Sequence, residues 1–271
     1  MATHRPVSGV VCRDGRFATS TRELAEEMAV ALSYNGSTQA VMMATPADLD
    51  DFATGFSITE GFATREEIVS VEAVRAVRGI DLRIWLAEKA GRRLNERRRS
   101  MAGPVGCGLC GIDSLEEAMR PPPPVTVRLA PVAAGEIREA MAAISAHQPL
   151  HDATRSAHAA GFWLPGQGML AVREDVGRHN ALDKLVGGLV RKGIAPASGI
   201  MLITSRASVD LVQKTAMAGC GVLVAASAPT AAAVETAEGA GICLVGLGRT
   251  DGFEIFSRPE RIHSRKDANV A

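Results

Sequence analysis

The second half of the chain alternates short apolar runs with stretches of helical periodicity. Apolar runs at 199–204, 221–226 and 242–246 are short and rich in Val, Ile and Leu, which is typical of buried strands. Helix-period stretches separate these runs and a hairpin precedes them, so the pattern predicts a layered sheet with some parallel strands, covered by helices. The predicted helices cover 134–146, 178–191, 208–217 and 230–238, and the further predicted strands cover 157–164, 169–173 and 253–256.

The first half of the chain predicts a mixed α/β unit. Asn35-Gly36 lies between alternating stretches at 28–34 and 37–43. Because both central residues of such a turn need positive φ, this dipeptide indicates a two-residue hairpin. The other elements predicted in this half are a helix over 46–62 with Thr45 as its N-cap, and a strand over 81–87.

A run of four prolines, Pro121–Pro124, separates the two halves. Proline runs form semi-rigid spacers, so this run predicts a linker between a unit at 1–120 and a unit at 125–271. The predicted fold class is therefore α/β, with a mixed N-terminal subdomain followed by a layered α/β domain.

A pair of cysteines lies just before that linker, in the sequence GPVGCGLCG at 103–111. Four glycines and a proline in this stretch do not support a regular element, so it is predicted as a loop. An arginine-rich stretch at 92–99 precedes the loop, and a capping box starting at Ser114 predicts a helix after it. Arginines and helix N-termini lower the pKa of a nearby thiol, and the thiolate is the reactive form. Cys107 and Cys110 are therefore candidate nucleophilic or sulfur-carrying thiols.

The same Cys-x-x-Cys spacing is compatible with other interpretations. It supplies two of the four ligands of a structural zinc site, and it also fits a thioredoxin-type redox couple. Against zinc, the remaining cysteines are isolated in the sequence; against thioredoxin, a glycine loop replaces the usual strand-to-helix context. A third alternative is a pair of buried cysteines that act as small apolar side chains. The isolated residues are Cys12, Cys220 and Cys243, and the histidine pair at zinc-like spacing is His147 with His151.

Composition narrows the function classes. The 271 residues are 46% hydrophobic and 22% charged with a formal net charge of zero, which fits a soluble globular protein without a general attraction to nucleic acid or anionic lipid. The sequence has neither an apolar run of membrane-spanning length nor a signal-peptide pattern, so no membrane segment is expected. An odd number of cysteines, five, does not suggest a disulfide framework and favours a reducing cytoplasm.

Two loops, at 204–208 and 227–230, each follow a predicted strand and open a predicted helix. Backbone N–H groups at such a helix start favour an anion, and Arg206 and Ser208 lie in the first of these loops. His179 lies at the start of another predicted helix, where the alternative interpretation is a capped helix with surface charges. Neither a Gly-x-Gly-x-x-Gly motif nor a Walker A lysine is present, so the standard nucleotide fingerprints do not apply.

Several segments together resemble the formate dehydrogenase accessory sulfurtransferases, the FdhD/NarQ family. The resemblance covers nearly the whole chain and is far more specific than a Cys-x-x-Cys pair alone. It rests on YNG at 34–36, MMATP at 42–46, ERRR at 96–99, CGLCG at 107–111, EDVGRHNALDK at 174–184 and SRAS at 205–208.

This resemblance implies an accessory sulfurtransferase. Such a protein takes sulfane sulfur from a cysteine desulfurase as a cysteine persulfide. It passes the sulfur to the molybdenum or tungsten of a bis-guanine-dinucleotide pterin cofactor destined for formate dehydrogenase. The resemblance also implies a homodimer and a second domain with a cytidine-deaminase-like fold. The zinc signature of the deaminases is absent, so deamination and a permanently bound metal are not expected.

The resemblance also implies roles for individual residues. Cys107 matches the persulfide-forming cysteine, and Cys110 matches a second cysteine whose role is less defined. Because the matching cofactor segment carries Arg249 as its only cation, we expect backbone N–H groups to make most of its phosphate contacts. The candidate cofactor-binding residues are Leu247, Gly248, Arg249, Thr250, Asp251 and Gly252, together with Arg206, Ser208 and His179.

The same loops are also compatible with a second class of function. The chain would then be a non-catalytic chaperone that binds the cofactor and the enzyme, with a structural or redox role for the cysteine pair. Transfer of sulfur to Cys107, as opposed to zinc bound by the cysteines, distinguishes the two classes.

Overall fold

The computed structural model describes residues 1–100, 121–126 and 129–264. It begins with an antiparallel two-stranded ribbon formed by β1 (His4–Arg13) and β2 (Arg16–Ala25). Most side chains of this ribbon are exposed, and it contacts the short helical segment at 149–154 in the second half of the chain. The sequence analysis did not predict the ribbon, because neither of its faces is consistently apolar.

A four-stranded sheet follows, in the order β4-β3-β6-β5. Its central strands β3 and β6 are parallel, and both edge strands are antiparallel to their neighbours. The predicted hairpin at Asn35-Gly36 is confirmed, with φ of 48° and 83° at the two turn residues. The elements of this part are β3 (Met28–Tyr34), β4 (Ser37–Ala44), α1 (Leu49–Thr59), β5 (Ile68–Ala76), β6 (Gly79–Leu86) and α2 (Glu88–Ser100).

The start of α1 differs from the prediction. The helix begins at Leu49 after Asp48, which adopts a left-handed conformation with φ of 51°, and Thr45 does not cap it. Thr45 instead faces the second half of the chain, where its N–H donates to the Asp175 carboxylate at 3.0 Å. Its hydroxyl accepts from the Val176 N–H at 3.1 Å. A long-range contact has therefore replaced the local cap that the sequence pattern indicated.

The second half forms a six-stranded mixed sheet in the order β13-β12-β11-β10-β8-β9. Its strands β10, β11 and β12 are parallel, their neighbours β8 and β13 are antiparallel to them, and the edge strand β9 is antiparallel to β8, so the predicted layered α/β arrangement is confirmed. The strands are β8 (His158–Leu164), β9 (Gly168–Asp175), β10 (Ile200–Ile203), β11 (Val222–Ala225), β12 (Cys243–Gly246) and β13 (Glu254–Ser257), and a short parallel pair joins β7 (Val132–Ala133) to β14 (Ile262–His263).

Helices cover both faces of this sheet. Of the helices that the structure describes, three pack on one face through a core that includes Phe162 and Leu223, and one packs on the other face through Ile137 and Val224. The former three are α5 (Arg178–Arg191), α6 (Val209–Met217) and α7 (Ala231–Ala240); the latter is α3 (Ala134–Ser145), which the short α4 (Pro149–Thr154) follows. Among the described residues, no helix is both long and apolar enough to cross a membrane. The division into units at 1–120 and 125–271 stays a prediction.

The two halves meet where α1 crosses α5 at very short range. A Cβ placed on Gly55 would lie 1.7 Å from the Asp183 carbonyl oxygen, and one on Gly187 would lie 1.9 Å from the Asp51 carbonyl oxygen. These are distances that a side chain cannot occupy, so the backbones approach closely only because both positions are glycine. At the margin of this crossing, Asp51 pairs with Arg173 at 2.7 Å and with Arg191 at 2.5 Å.

Two buried lysines of the second half also contact the first half, at the residues that flank α1 in sequence. Lys184 donates to the Asp175 carboxylate at 2.6 Å and to the Thr45 carbonyl at 2.8 Å. Its ammonium also lies 5.8 Å from the ring centre of Phe52. Lys184 and Asp175 are both fully buried, so neither charge is tolerable without the other.

The second lysine, Lys214, repeats this arrangement farther along α1. It lies 3.0 Å from the Asp183 carboxylate, 2.6 Å from Glu60 and 5.1 Å from the ring centre of Phe56. Burial penalises the ammonium, but Asp183 and Glu60 together raise the pKa of Lys214 above its ordinary value. The cation therefore persists in the interior and links α1 to α5 and α6.

Replacement of Gly55 by alanine tests the helix crossing. We expect Gly55→Ala to lower the free energy of unfolding by about 3 kcal/mol or more, because the new methyl group meets a backbone carbonyl that cannot move alone. Urea unfolding measures the loss. The control is Gly239→Ala in α7, where no atom lies within 4 Å of the new Cβ. Higher helix propensity should stabilise that variant by about 0.5–1 kcal/mol, and equal effects at both positions would contradict the interpretation.

Candidate functional site

The predicted cysteine site lies outside the described residues. Cys107 and Cys110 belong to the stretch 101–120, which the structure does not describe, and helix α2 runs as far as Ser100 immediately before it. The sulfur-carrying role of these cysteines therefore stays a prediction. The part of the candidate site that the structure describes is a cleft in the second half of the chain.

This cleft, with a volume of about 700 Å³, lies at the carboxyl ends of the three parallel strands. Thr204, Ala226 and Gly248 line it, and they follow β10, β11 and β12 respectively. In open α/β sheets the carboxyl ends of parallel strands are the usual place for ligands. Met141 and Ile144 of α3 add apolar side chains to the wall. The cleft thus combines an apolar wall with the polar ends of a parallel sheet.

Half of the predicted segment at 247–252 reaches the cleft. Gly248, Arg249 and Thr250 line it, whereas Leu247, Asp251 and Gly252 are not among its described lining residues. Leu247 adopts a left-handed conformation with φ of 51°, which turns the chain away from β12. The side chains of Arg249 and Thr250 are exposed and therefore available to a ligand.

The backbone of this segment behaves differently from the expectation. The N–H of Leu247 donates to the Ser227 carbonyl at 3.3 Å, and that of Gly248 donates to the Ala225 carbonyl at 3.0 Å. The N–H of Arg249 donates to the Gly252 carbonyl at 2.8 Å. The expectation that backbone N–H groups make most of the anion contacts is therefore wrong for these three residues. The side chains of Arg249 and Thr250 remain as the polar groups offered to a ligand.

The structure separates the other three predicted residues from the cleft lining. His179, in the first turn of α5, forms an ion pair with Asp210 in the first turn of α6. Ser208 precedes α6 without a side-chain capping bond, and Arg206 is exposed beside it. These residues gather where the two helices begin, and none of them is among the described residues that line the cleft.

The sequence analysis missed most of the polar side chains that line the cleft. His151 and Arg155 come from α4 and the residue that ends it, and Gln148 and His158 flank them. The sequence signal for this lining is the spacing of His147 and His151, which by itself indicates only a possible zinc pair. In the structure the Nδ1 of His147 bonds the Ala143 carbonyl at 2.8 Å, and that of His151 bonds the Ala157 carbonyl at 2.9 Å.

Several basic side chains lie around this end of the sheet, and some of them, such as Arg155 with Asp152, are paired with carboxylates. Burial, together with the charges of Arg178, His151 and His179, lowers the pKa of His158. Each of those charges is positive when the group is protonated, and such a field repels a further proton and attracts an anion. The cleft is therefore suited to a ligand with an apolar or aromatic part and a negatively charged part.

Comparisons with known proteins agree with one another. The model of the FdhD/NarQ family matches residues 25–263. A protein of Agrobacterium fabrum named "Sulfur carrier protein FdhD" is 53% identical over 96% of this chain and 97% of its own length. A protein of Brucella abortus with the same name is 51% identical over 95% and 96% of the two lengths. A crystal structure from Desulfotalea psychrophila, described as a candidate formate dehydrogenase accessory protein, has the same fold. It shows a TM-score of 0.74 at 23% identity over 97% of this chain and 100% of that chain.

The pair between His179 and Asp210 predicts a pH-dependent contribution to stability. Burial opposes ionisation of Asp210, but the hydrogen bond and charge of His179 outweigh it and hold the pKa of the carboxyl well below its usual range. A carboxyl with a depressed pKa stabilises the fold above the pKa of the unfolded chain, and this contribution is lost as the pH falls.

We expect Asp210→Asn to lower the free energy of unfolding by about 2 kcal/mol at pH 7 and by progressively less below about pH 4. Thermal unfolding over a pH series measures this difference. Asp14→Asn, in the exposed turn of the β1–β2 ribbon, is the control and should change little. A constant difference between wild type and Asp210→Asn down to pH 2 would contradict the assignment.

Proposed function

Because the chain belongs to the FdhD/NarQ family, we propose that it is a sulfur carrier that serves formate dehydrogenase. Cys107 takes sulfane sulfur from a cysteine desulfurase as a persulfide. The sulfur is then transferred to the metal of a bis-guanine-dinucleotide pterin cofactor, which is bound as a substrate. In this proposal the protein is an accessory sulfurtransferase.

The observation that carries this proposal is the extent of the family match. It runs from residue 25 to residue 263, a range that includes Cys107 and Cys110 as well as the cleft. Two relatives that are more than half identical to the chain over nearly its full length are named sulfur carriers. A Cys-x-x-Cys pair alone would support a zinc site or a redox couple equally well.

The first chemical step is an exchange between sulfur atoms. The Cys107 thiolate attacks the terminal sulfur of the persulfide on the donor, and a new bond forms between that sulfur and Cys107 Sγ. The sulfur–sulfur bond on the donor breaks, and the donor cysteine leaves as a thiolate. No net oxidation or reduction accompanies this step. The arginines at 97–99, which precede the cysteine loop in sequence, are proposed to favour the thiolate.

We propose that the cofactor that accepts the sulfur binds in the cleft. A guanine nucleotide has an aromatic base that suits the wall formed by Met141 and Ile144, and a diphosphate that suits cationic side chains. Arg249 and Arg155 are the permanently charged residues of the described lining, and the exposed pair of Arg155 with Asp152, at 3.3 Å, would give way to a phosphate contact. We propose that these arginines bind the phosphates of one guanine dinucleotide arm of the cofactor.

The proposed partners follow from this role. They are a cysteine desulfurase as sulfur donor, formate dehydrogenase as the recipient of the cofactor, and a second copy of the chain in a homodimer. A reducing cytoplasm is the proposed location, since the thiol must remain free to form a persulfide.

Replacement of Cys107 by alanine tests the carrier. After incubation with a cysteine desulfurase and cysteine, intact-protein mass spectrometry should show one added sulfur on the wild type and none on Cys107→Ala, because the attacking thiolate is gone. Cys12→Ala removes an exposed cysteine on β1 and should load normally, which controls for general loss of thiols. Equal loading of Cys107→Ala would refute the assignment, and zinc bound to the wild type would favour the non-catalytic chaperone.

The cleft assignment is tested with GDP as the probe. Arg249→Ala should weaken GDP binding about five- to tenfold at low salt, because one charge-assisted contact to a phosphate is lost. The effect should shrink at high salt, where exposed charges are screened. Arg78→Ala, in the exposed turn between β5 and β6, is the matched control and should bind GDP as the wild type does. Isothermal titration calorimetry measures both variants, and unchanged affinity in Arg249→Ala would place the phosphates elsewhere.

A further inference from the structure

Glu174, the penultimate residue of β9, makes two hydrogen bonds to another element. Its Oε2 accepts from the Leu150 N–H and its Oε1 from the His151 N–H, both at 2.8 Å. These donors belong to the first turn of α4, whose own N-cap residue Gln148 makes no side-chain capping bond. Glu174 therefore supplies from a distant strand the acceptors that a local cap usually supplies.

The helix held in this way forms one rim of the cleft. The rim residues from α4 to the start of β8 are His151, Arg155, Ser156, Ala157 and His158, and all of them line the cleft. The N–H of Arg155 donates to the His151 carbonyl at 2.6 Å, and Arg155 ends the helix in a left-handed conformation with φ of 60°. The conformation of Arg155 thus depends on the short helix that precedes it.

The orientation of the His151 ring depends on the same turn. Its Nδ1 lies 2.9 Å from the Ala157 carbonyl oxygen. Because a carbonyl only accepts, Nδ1 must carry a proton, and Nε2 is the nitrogen that remains for a ligand. A helix of only six residues is marginal on its own, so this geometry needs an external support.

The strand that carries Glu174 is itself firmly anchored. The next residue, Asp175, points to the other side of β9 and is fully buried. It accepts hydrogen bonds from the Thr45 N–H at 3.0 Å, the Gly177 N–H at 2.8 Å and the Lys184 ammonium at 2.6 Å. The buried contacts of Asp175 therefore fix the position of Glu174, and Glu174 in turn holds α4 through its two hydrogen bonds.

We propose that Glu174 is a positioning residue for the anionic part of the nucleotide. It holds α4 so that His151 and Arg155 line the same cleft as Arg249, where the phosphates are proposed to bind. This inference rests on the proposed function, in which the cleft binds a guanine nucleotide. Glu174 acts through the α4 backbone and does not touch the nucleotide.

Electrostatic repulsion alone predicts the opposite effect of Glu174→Gln on nucleotide binding. A carboxylate near a phosphate repels it, so removal of that negative charge by Glu174→Gln should strengthen binding if Coulomb repulsion were its main effect. Positioning predicts weaker binding, because a glutamine offers one acceptor oxygen and turns an NH₂ group toward the other backbone N–H. The direction of the change therefore separates the two effects.

The experiment compares GDP with guanosine on the full chain by isothermal titration calorimetry. We expect Glu174→Gln to weaken GDP binding about tenfold and guanosine binding less than about twofold, because the misplaced groups face the phosphates. The matched control is Glu136→Gln. The Glu136 carboxylate also accepts two N–H groups, from the Trp163 indole at 3.0 Å and from Gly166 at 3.1 Å, and it lies outside the cleft lining. This control should bind both ligands as the wild type does.

Amide hydrogen exchange on the unliganded protein supplies a measurement that does not depend on the nucleotide. Glu174→Gln should speed exchange at Leu150 and His151 more than elsewhere, since their N–H groups lose a charged acceptor. Unchanged exchange at these two amides would overturn the proposal even if binding falls.

The binding outcomes also separate this inference from the proposed function. Unchanged or tighter GDP binding in Glu174→Gln, with normal binding in the wild type, overturns the positioning role alone. Equal weakening of GDP and guanosine also overturns it, because a general disturbance of the cleft would then explain the loss. Failure of the wild type to bind GDP overturns the cleft assignment itself, and the positioning role with it.

Discussion

The close crossing of α1 and α5 is the constraint on which the rest of the structure depends. Glycines at 55 and 187 allow the two backbones to touch, and this contact brings the Thr45 carbonyl to buried Lys184 and the Glu60 carboxylate to buried Lys214. Removing one partner of such a pair leaves an uncompensated buried charge, which costs about 3–5 kcal/mol. The pairs that join the halves, Asp51 with Arg173 and Arg191 and Glu60 with Lys214, therefore favour one relative placement of the two halves.

This placement extends to the functional end of the molecule. Thr45, which comes from the first half, bonds Asp175 and the residue after it. That contact fixes the end of β9, from which Glu174 supports the rim of the cleft and α5 begins with His179 beside it. The described residues of the first half do not line the cleft, and they contribute to it by securing the strand from which the rim is held.

The sequence predicted those parts of the fold in which local pattern and tertiary environment agree. Helix α5 begins and ends at the predicted residues 178 and 191, and the apolar stripe that the sequence shows faces a core in the structure. The ribbon β1–β2 was not predicted because most of its side chains are exposed on both faces, so its sequence lacks the alternation of apolar and polar residues that marks a strand. The role of Thr45 and the cleft rim at 151–158 escaped for another reason: both depend on partners far away in sequence, Asp175 for Thr45 and Glu174 for the rim.

The dependence of α1 on α5 has a consequence for biosynthesis. During translation α1 leaves the ribosome long before α5, α6 and both buried lysines have been made. Until then its glycine face and Thr59 lack their partners, so the first half exposes surface that native packing later covers. Contacts between distant parts of a sequence form slowly, and partly folded chains aggregate through such surfaces. The nascent chain is therefore most vulnerable in the interval between synthesis of α1 and synthesis of α6.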